Sequence, residues 1–138
     1  MRSIASVRLL PTALLVAACT SGPMTFGAQR IVCDELNIQD AASEPGFPYS
    51  AVLTDSPNHE AMTLLLLLPD EDGEARVFSA RQVVTTDEAA RTYSGVFELG
   101  GVCIDARARG AEALPLTVRL TRLSDGKVLA EGTLPIVP

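Results

Sequence analysis

The sequence predicts an antiparallel all-β domain, and three observations carry that expectation. Apolar and polar residues alternate over short stretches, most clearly where Leu116, Val118 and Leu120 face one way and Thr117, Arg119 and Thr121 the other. Turn-forming residues such as Ser124-Asp125-Gly126 separate these stretches. Helical periodicity is scarce.

In chain order the candidate strands are Arg30–Cys33, Tyr49–Thr54, Met62–Leu68, Ala75–Val84, Tyr93–Leu99, Val102–Arg107, Leu116–Leu123 and Lys127–Val137. The stretch Asp40–Pro48 reads as a long loop. Pro69-Asp70-Glu71-Asp72-Gly73 ends the leucine run and turns it into the next strand, with Gly73 in the left-handed region. One helical turn is expected after Thr86, whose hydroxyl can cap Asp87-Glu88-Ala89-Ala90 with both acids near the positive end of the dipole. Ser124-Asp125-Gly126 closes a hairpin between the last two strands. Seven or eight short strands in one domain imply an immunoglobulin-like antiparallel β-sandwich, with a small closed β-barrel as the alternative. Its core is expected to include Val32, Leu53, Phe78, Phe97, Ile104, Leu116, Val118, Leu120, Val128 and Ile136.

Composition excludes two broad classes. With 11 basic and 17 acidic residues among 138, and a formal charge of −6, the chain is unsuited to neutralising phosphates, so no nucleic-acid partner is expected. At 47% hydrophobic residues it is no disordered chain.

The amino terminus is set apart. Arg2 and Arg8 precede an apolar stretch, Leu9 to Ala18, broken only by Pro11 and Thr12. It is too short for the roughly 20 residues of a membrane-spanning helix and suits a secretory signal peptide over residues 1–18. It ends in Leu15-Val16-Ala17-Ala18-Cys19, which resembles the lipobox of bacterial lipoproteins. The resemblance covers residues 1–19 and implies that Cys19 is acylated, becomes the first residue after cleavage and anchors the chain in a membrane. Val16 and Ala18 also satisfy the small-residue rule of ordinary signal-peptide cleavage. On the lipoprotein reading, residues 19–28 form a lipidated tether with Thr20-Ser21-Gly22-Pro23 in it, and residues 29–138 form the single folded domain. Thr20, where Asp would signal retention, resembles the pattern of lipoproteins sent to the outer membrane, facing the periplasm. Loss of the eighteen signal residues, Arg2 and Arg8 among them, moves the formal charge to −8. Setting Cys19 aside resolves the odd count of three cysteines, since Cys33 and Cys103 can then form a disulfide in an oxidising compartment. The alternative is two unpaired buried thiols.

Candidate chemistry is sparse. His59 is the single histidine and lacks the partners of a zinc site or a catalytic triad, and no nucleophile elbow, phosphate loop or dinucleotide fingerprint is present. Asp70-Glu71-Asp72-Gly73-Glu74 resembles part of a calcium loop, but the register fails at Leu68 and Ser79. No catalytic residue, metal site or cofactor is expected. Arg76, Arg81, Arg107, Arg109, Arg119 and Arg122 are expected on solvated strand faces, where clustering would make an anion-binding surface. The run Leu64, Leu65, Leu66, Leu67, Leu68 is the oddity, because a sandwich strand buries only alternate residues. Either the Asp40–Pro48 loop or the amino-terminal segment covers its outer face, or it is a surface for a partner. The sequence thus favours a lipid-anchored, exported, non-catalytic interaction or assembly accessory of the cell envelope, with a protein partner meeting the leucine strand or an edge strand. The alternative is a periplasmic inhibitor or ligand-binding lipoprotein whose acidic surface meets a basic target such as a lysozyme.

Overall fold

A computed structural model of the chain describes residues 22–36, 46–53, 60–84, 92–110 and 112–138. The fold is all-β with one short helix. Its strands are β1 (Gly22–Phe26), β2 (Ile31–Val32), β3 (Gly46–Val52), β4 (Ala61–Pro69), β5 (Ala75–Val84), β6 (Thr92–Glu98), β7 (Leu114–Arg122) and β8 (Val128–Val137). A 3-10 turn, Cys33–Leu36, follows β2, and the helix α1 (Gly100–Arg109) lies between β6 and β7.

Hydrogen bonding joins the strands into one curled mixed sheet in the order β5-β4-β7-β8-β1-β3-β6, with β2 beside β8. This is one continuous sheet where the sequence predicts two. It is also an open one, because no ladder joins its end strands β5 and β6 among the described residues. The joint is β1. Its first residues run parallel to β8, with Gly22 opposite Ala130, and its last run antiparallel to β3, with Phe26 opposite Tyr49. Gly22 is needed at the crossing, since a Cβ there would come within 2.0 Å of the Val52 carbonyl oxygen.

The curl brings the inner face of β4, β7 and β8 (Met62, Leu64, Leu66, Leu68, Leu116, Val118, Leu120, Ile136) against that of β3 and β6 (Phe47, Tyr49, Ala51, Phe97). Of the six Phe and Tyr residues, five form a connected ring cluster centred on Phe97, with centroids 5.6 Å away at Phe47, 6.0 Å at Tyr49 and 6.5 Å at Phe26. Tyr93 joins through Tyr49 at 6.1 Å. Such pairs add to simple area burial.

Several expectations are corrected. Val102–Arg107, expected as a strand, lies inside α1, which buries Val102, Cys103 and Ala106 and stops at Gly110 in the left-handed region. Gly22–Phe26, expected within the tether, is strand β1. Gly46–Pro48, expected in a loop, begins β3, where Phe47 and Tyr49 point inward and Pro48 stays exposed. Phe78, expected in the core, is 40% exposed, and Val32, Ile104 and Val128 are only half-buried. The turn expected at Asp87–Ala90 lies outside the described residues.

Candidate functional site

Cys19 and His59 lie outside the described residues. Cys33 and Cys103 are joined by a disulfide, Cα atoms 5.9 Å apart, which ties the 3-10 turn to α1. Both residues are fully buried.

The leucine run does not present an open apolar face. Leu64, Leu66 and Leu68 belong to the core, Leu67 is buried apart from it, and Leu65 is half-buried. The inner leucines share one core with the β3 and β6 aromatics, Phe47 of the expected Asp40–Pro48 loop among them. Apolar exposure falls instead on the strand beside them. β5 ends the sheet, its ten residues are exposed except for half-buried Val83, and Val77 and Val84 are 56% and 45% exposed. Pairing with β4 skips one residue, since Leu66 faces Ser79 and Leu67 faces Val77. Phe78 is therefore the extra residue of a β-bulge. Its ring rests on the start of α1, where a Cβ added at Gly101 would lie 3.2 Å away.

Between β5 and β6 lies a cleft of about 270 Å³ floored by Leu64, Leu66 and Phe97. Arg81 spans it: Nη2 donates to the Val96 carbonyl at 2.9 Å, and Nη1 lies 3.9 Å from Glu98 Oε1. A carbonyl on the free edge of β6 thus finds its donor in a side chain. Tyr49 lies nearby, 2% exposed, with a buried hydroxyl for which no group among the described residues, the neighbouring Tyr93 hydroxyl included, stands in good hydrogen-bond geometry. Burial pushes its pKa up, the Tyr93 hydroxyl adds to the rise, and Arg81 pulls the other way.

The arginines do not cluster as unmatched cations. Arg76 meets Asp70 and Glu74, Arg107 meets Asp34, Arg109 meets Asp105, Arg119 meets Glu131, and Arg122 meets Glu60 and Asp125. Arg109 also donates from Nη1 to the Pro69 carbonyl, fastening α1 to the end of β4. No group of three or more His, Cys, Asp or Glu residues is placed to hold a metal among the described residues.

The β4–β5 turn is organised from within. Asp70 Oδ1 accepts the amides of Asp72 at 2.8 Å and Glu74 at 3.0 Å, while Oδ2 accepts Arg76 Nε at 2.7 Å. These bonds occupy the carboxylate that a calcium loop would need. The Arg76 guanidinium, foremost, holds the Asp70 carboxyl below its ordinary 3.8; desolvation, the next effect in size, opposes it, and the amides of Glu74 and Asp72 add to the lowering. A lowered folded-state pKa gives stability that is complete above 3.8 and is lost as pH falls through the folded value. Thermal melts from about pH 6 to about pH 2 should show a descending acid limb that Asp70→Asn makes shallower. An unchanged limb in that variant would assign the acid sensitivity elsewhere.

No protein-family model matches the chain, and no curated protein matches it. Among the described residues no helix is long and apolar enough to cross a membrane.

Proposed function

We propose that the protein is an exported lipoprotein, held by acylated Cys19 at the periplasmic face of the outer membrane, in which a non-catalytic immunoglobulin-like sandwich serves as an interaction or assembly accessory for a protein partner of the envelope. The sandwich reading is supported by two layers facing one another across the core, β5-β4-β7-β8 and β1-β3-β6, with β1 shared between them. The observation that carries the interaction is the β5 edge, a long exposed strand with Val77 and Phe78 open to solvent. A partner adding an extended segment to this edge would gain main-chain hydrogen bonds and apolar contacts together. The bulge at Phe78 and the charged Arg81 on the same strand guard against unselective pairing. A second reading draws on the exposed Glu71, Asp72 and Glu74 at the β4–β5 tip, which would meet a basic target.

A photoreactive amino acid placed at Val77 in the full-length protein should give a defined protein adduct in isolated membranes, and one at exposed Thr133 on β8 should not. The adduct is expected to survive high salt, because an apolar edge contact is little screened, whereas loss in salt would favour the acidic tip. Adducts at Thr133 without any at Val77, or a mature protein whose Cys19 carries no acyl group by mass spectrometry, would overturn the proposal.

A further inference from the structure

Resting on the lipid-anchor reading, we infer that the domain stands end-on to the membrane, with the β7–β8 hairpin turned toward the lipid headgroups. Only Thr20 and Ser21 separate Cys19 from Gly22, so the anchored residue lies within about 11 Å of Gly22 even when the chain is fully extended. Gly22 pairs with Ala130, close to where β8 leaves its hairpin turn. The turn, Leu123 to Lys127, therefore projects roughly 10 Å beyond Gly22, about as far as the tether can reach.

The same end carries the surface suited to a lipid interface. The Leu123 amide donates to the Ala61 carbonyl at 3.0 Å, and Ala61 pairs with Val84. This brings together two exposed aliphatic side chains, Leu123 at 47% and Val84 at 45%, beside Lys127, the single lysine of the chain. Among the described residues of this end, Arg122 and Lys127 equal Glu60 and Asp125 in number, and Arg122 is paired with both acids. The opposite end of β5 bears Asp70, Glu71, Asp72 and Glu74, and β5 spans roughly 30 Å between the two. The short tether and the exposed Leu123 and Val84 thus set the β7–β8 end, and not the turn of Asp70, Glu71, Asp72 and Glu74, against the lipid. Val77 and Phe78, near the acidic end, are left facing the periplasm.

The chain contains no Trp, which makes single introduced tryptophans unambiguous reporters. Full-length lipidated protein bearing Leu123→Trp or Glu71→Trp would be reconstituted into vesicles of phosphatidylethanolamine and phosphatidylglycerol, with and without brominated lipid. Leu123→Trp should lose emission to brominated lipid, shift to shorter wavelength and resist aqueous iodide. Glu71→Trp should ignore brominated lipid and be quenched by iodide. Val84→Trp serves in place of Leu123→Trp if that variant does not fold. Quenching by brominated lipid at Glu71→Trp, or equal behaviour at both ends in vesicle-bound protein, overturns the orientation alone. Protein that does not float with the vesicles overturns the anchor and the orientation with it.

Discussion

Removing the disulfide with Cys33→Ala/Cys103→Ala is expected to destabilise the protein by about 4 kcal/mol, a fall in melting temperature of roughly 15 °C. The bond joins residues 70 positions apart, and closing a loop of that length removes much of the freedom of the unfolded chain. Because the constraint acts mainly on the unfolded state, the variant should also show a steeper dependence of stability on urea, since an uncrosslinked chain exposes more surface. Urea titrations of the oxidised parent, the reduced parent and the double variant measure both quantities. Equal stabilities would mean that the bond only joins residues already held by β2 and α1.

Phe97→Ala should cost a similar amount, about 4 kcal/mol, by a different route. Phe97 is 1% exposed and lies at the centre of the aromatic cluster, so its loss leaves a cavity bounded by rings on β1 and β3. The folded state is what suffers, and the urea dependence should stay near that of the parent. Phe78→Ala is the control. Its ring is partly exposed and lies against Gly101 at the start of α1, so the change should be about 1 kcal/mol or less.

The two aromatic substitutions also mark what the sequence could and could not reveal. Phe97 is legible because it lies in a strand whose bounds, Thr92–Glu98, agree with Tyr93–Leu99 to one residue, on the same face as Tyr93. Ala75–Val84 agrees residue for residue. Phe78 was misplaced by the same rule, because a bulge inserts one residue and breaks the period of two. The helix hid behind Gly100-Gly101 and the β-branched Val102 and Ile104, which suit a strand. Its signal was nonetheless present: Leu99, Val102, Cys103 and Ala106 follow the spacing of one helical face, and Arg107, Arg109 and Gly110 are ordinary stop signals. β1 gave no such signal, for Gly22 and Pro23 resemble a linker, and only pairing with strands remote in sequence makes them part of a sheet.

The leucine run finds cover for its inner face in the core, while most of the Asp40–Pro48 loop and the amino-terminal segment, expected over its outer face, lies outside the described residues. Three of its members fill the core and the solvent-facing apolar residues sit one strand away, on β5. A linear pattern shows that a strand is apolar on both faces, but not which neighbour ends the sheet, since strand order depends on pairings between distant segments. The candidate site was for that reason visible only as an unspecified edge strand.

The place of β1 has a temporal consequence. In an exported chain β1 would emerge ahead of the other described strands; its Phe26 end can pair early with β3, but its Gly22 end waits for β8, and the disulfide likewise waits for α1. Folding dominated by such remote partners is slow and leaves strand edges open meanwhile. A chain already tethered by its amino terminus would spend that interval at the membrane surface, and a truncation reaching into β8 would leave the Gly22 end of β1 unpaired however well the intervening strands had formed.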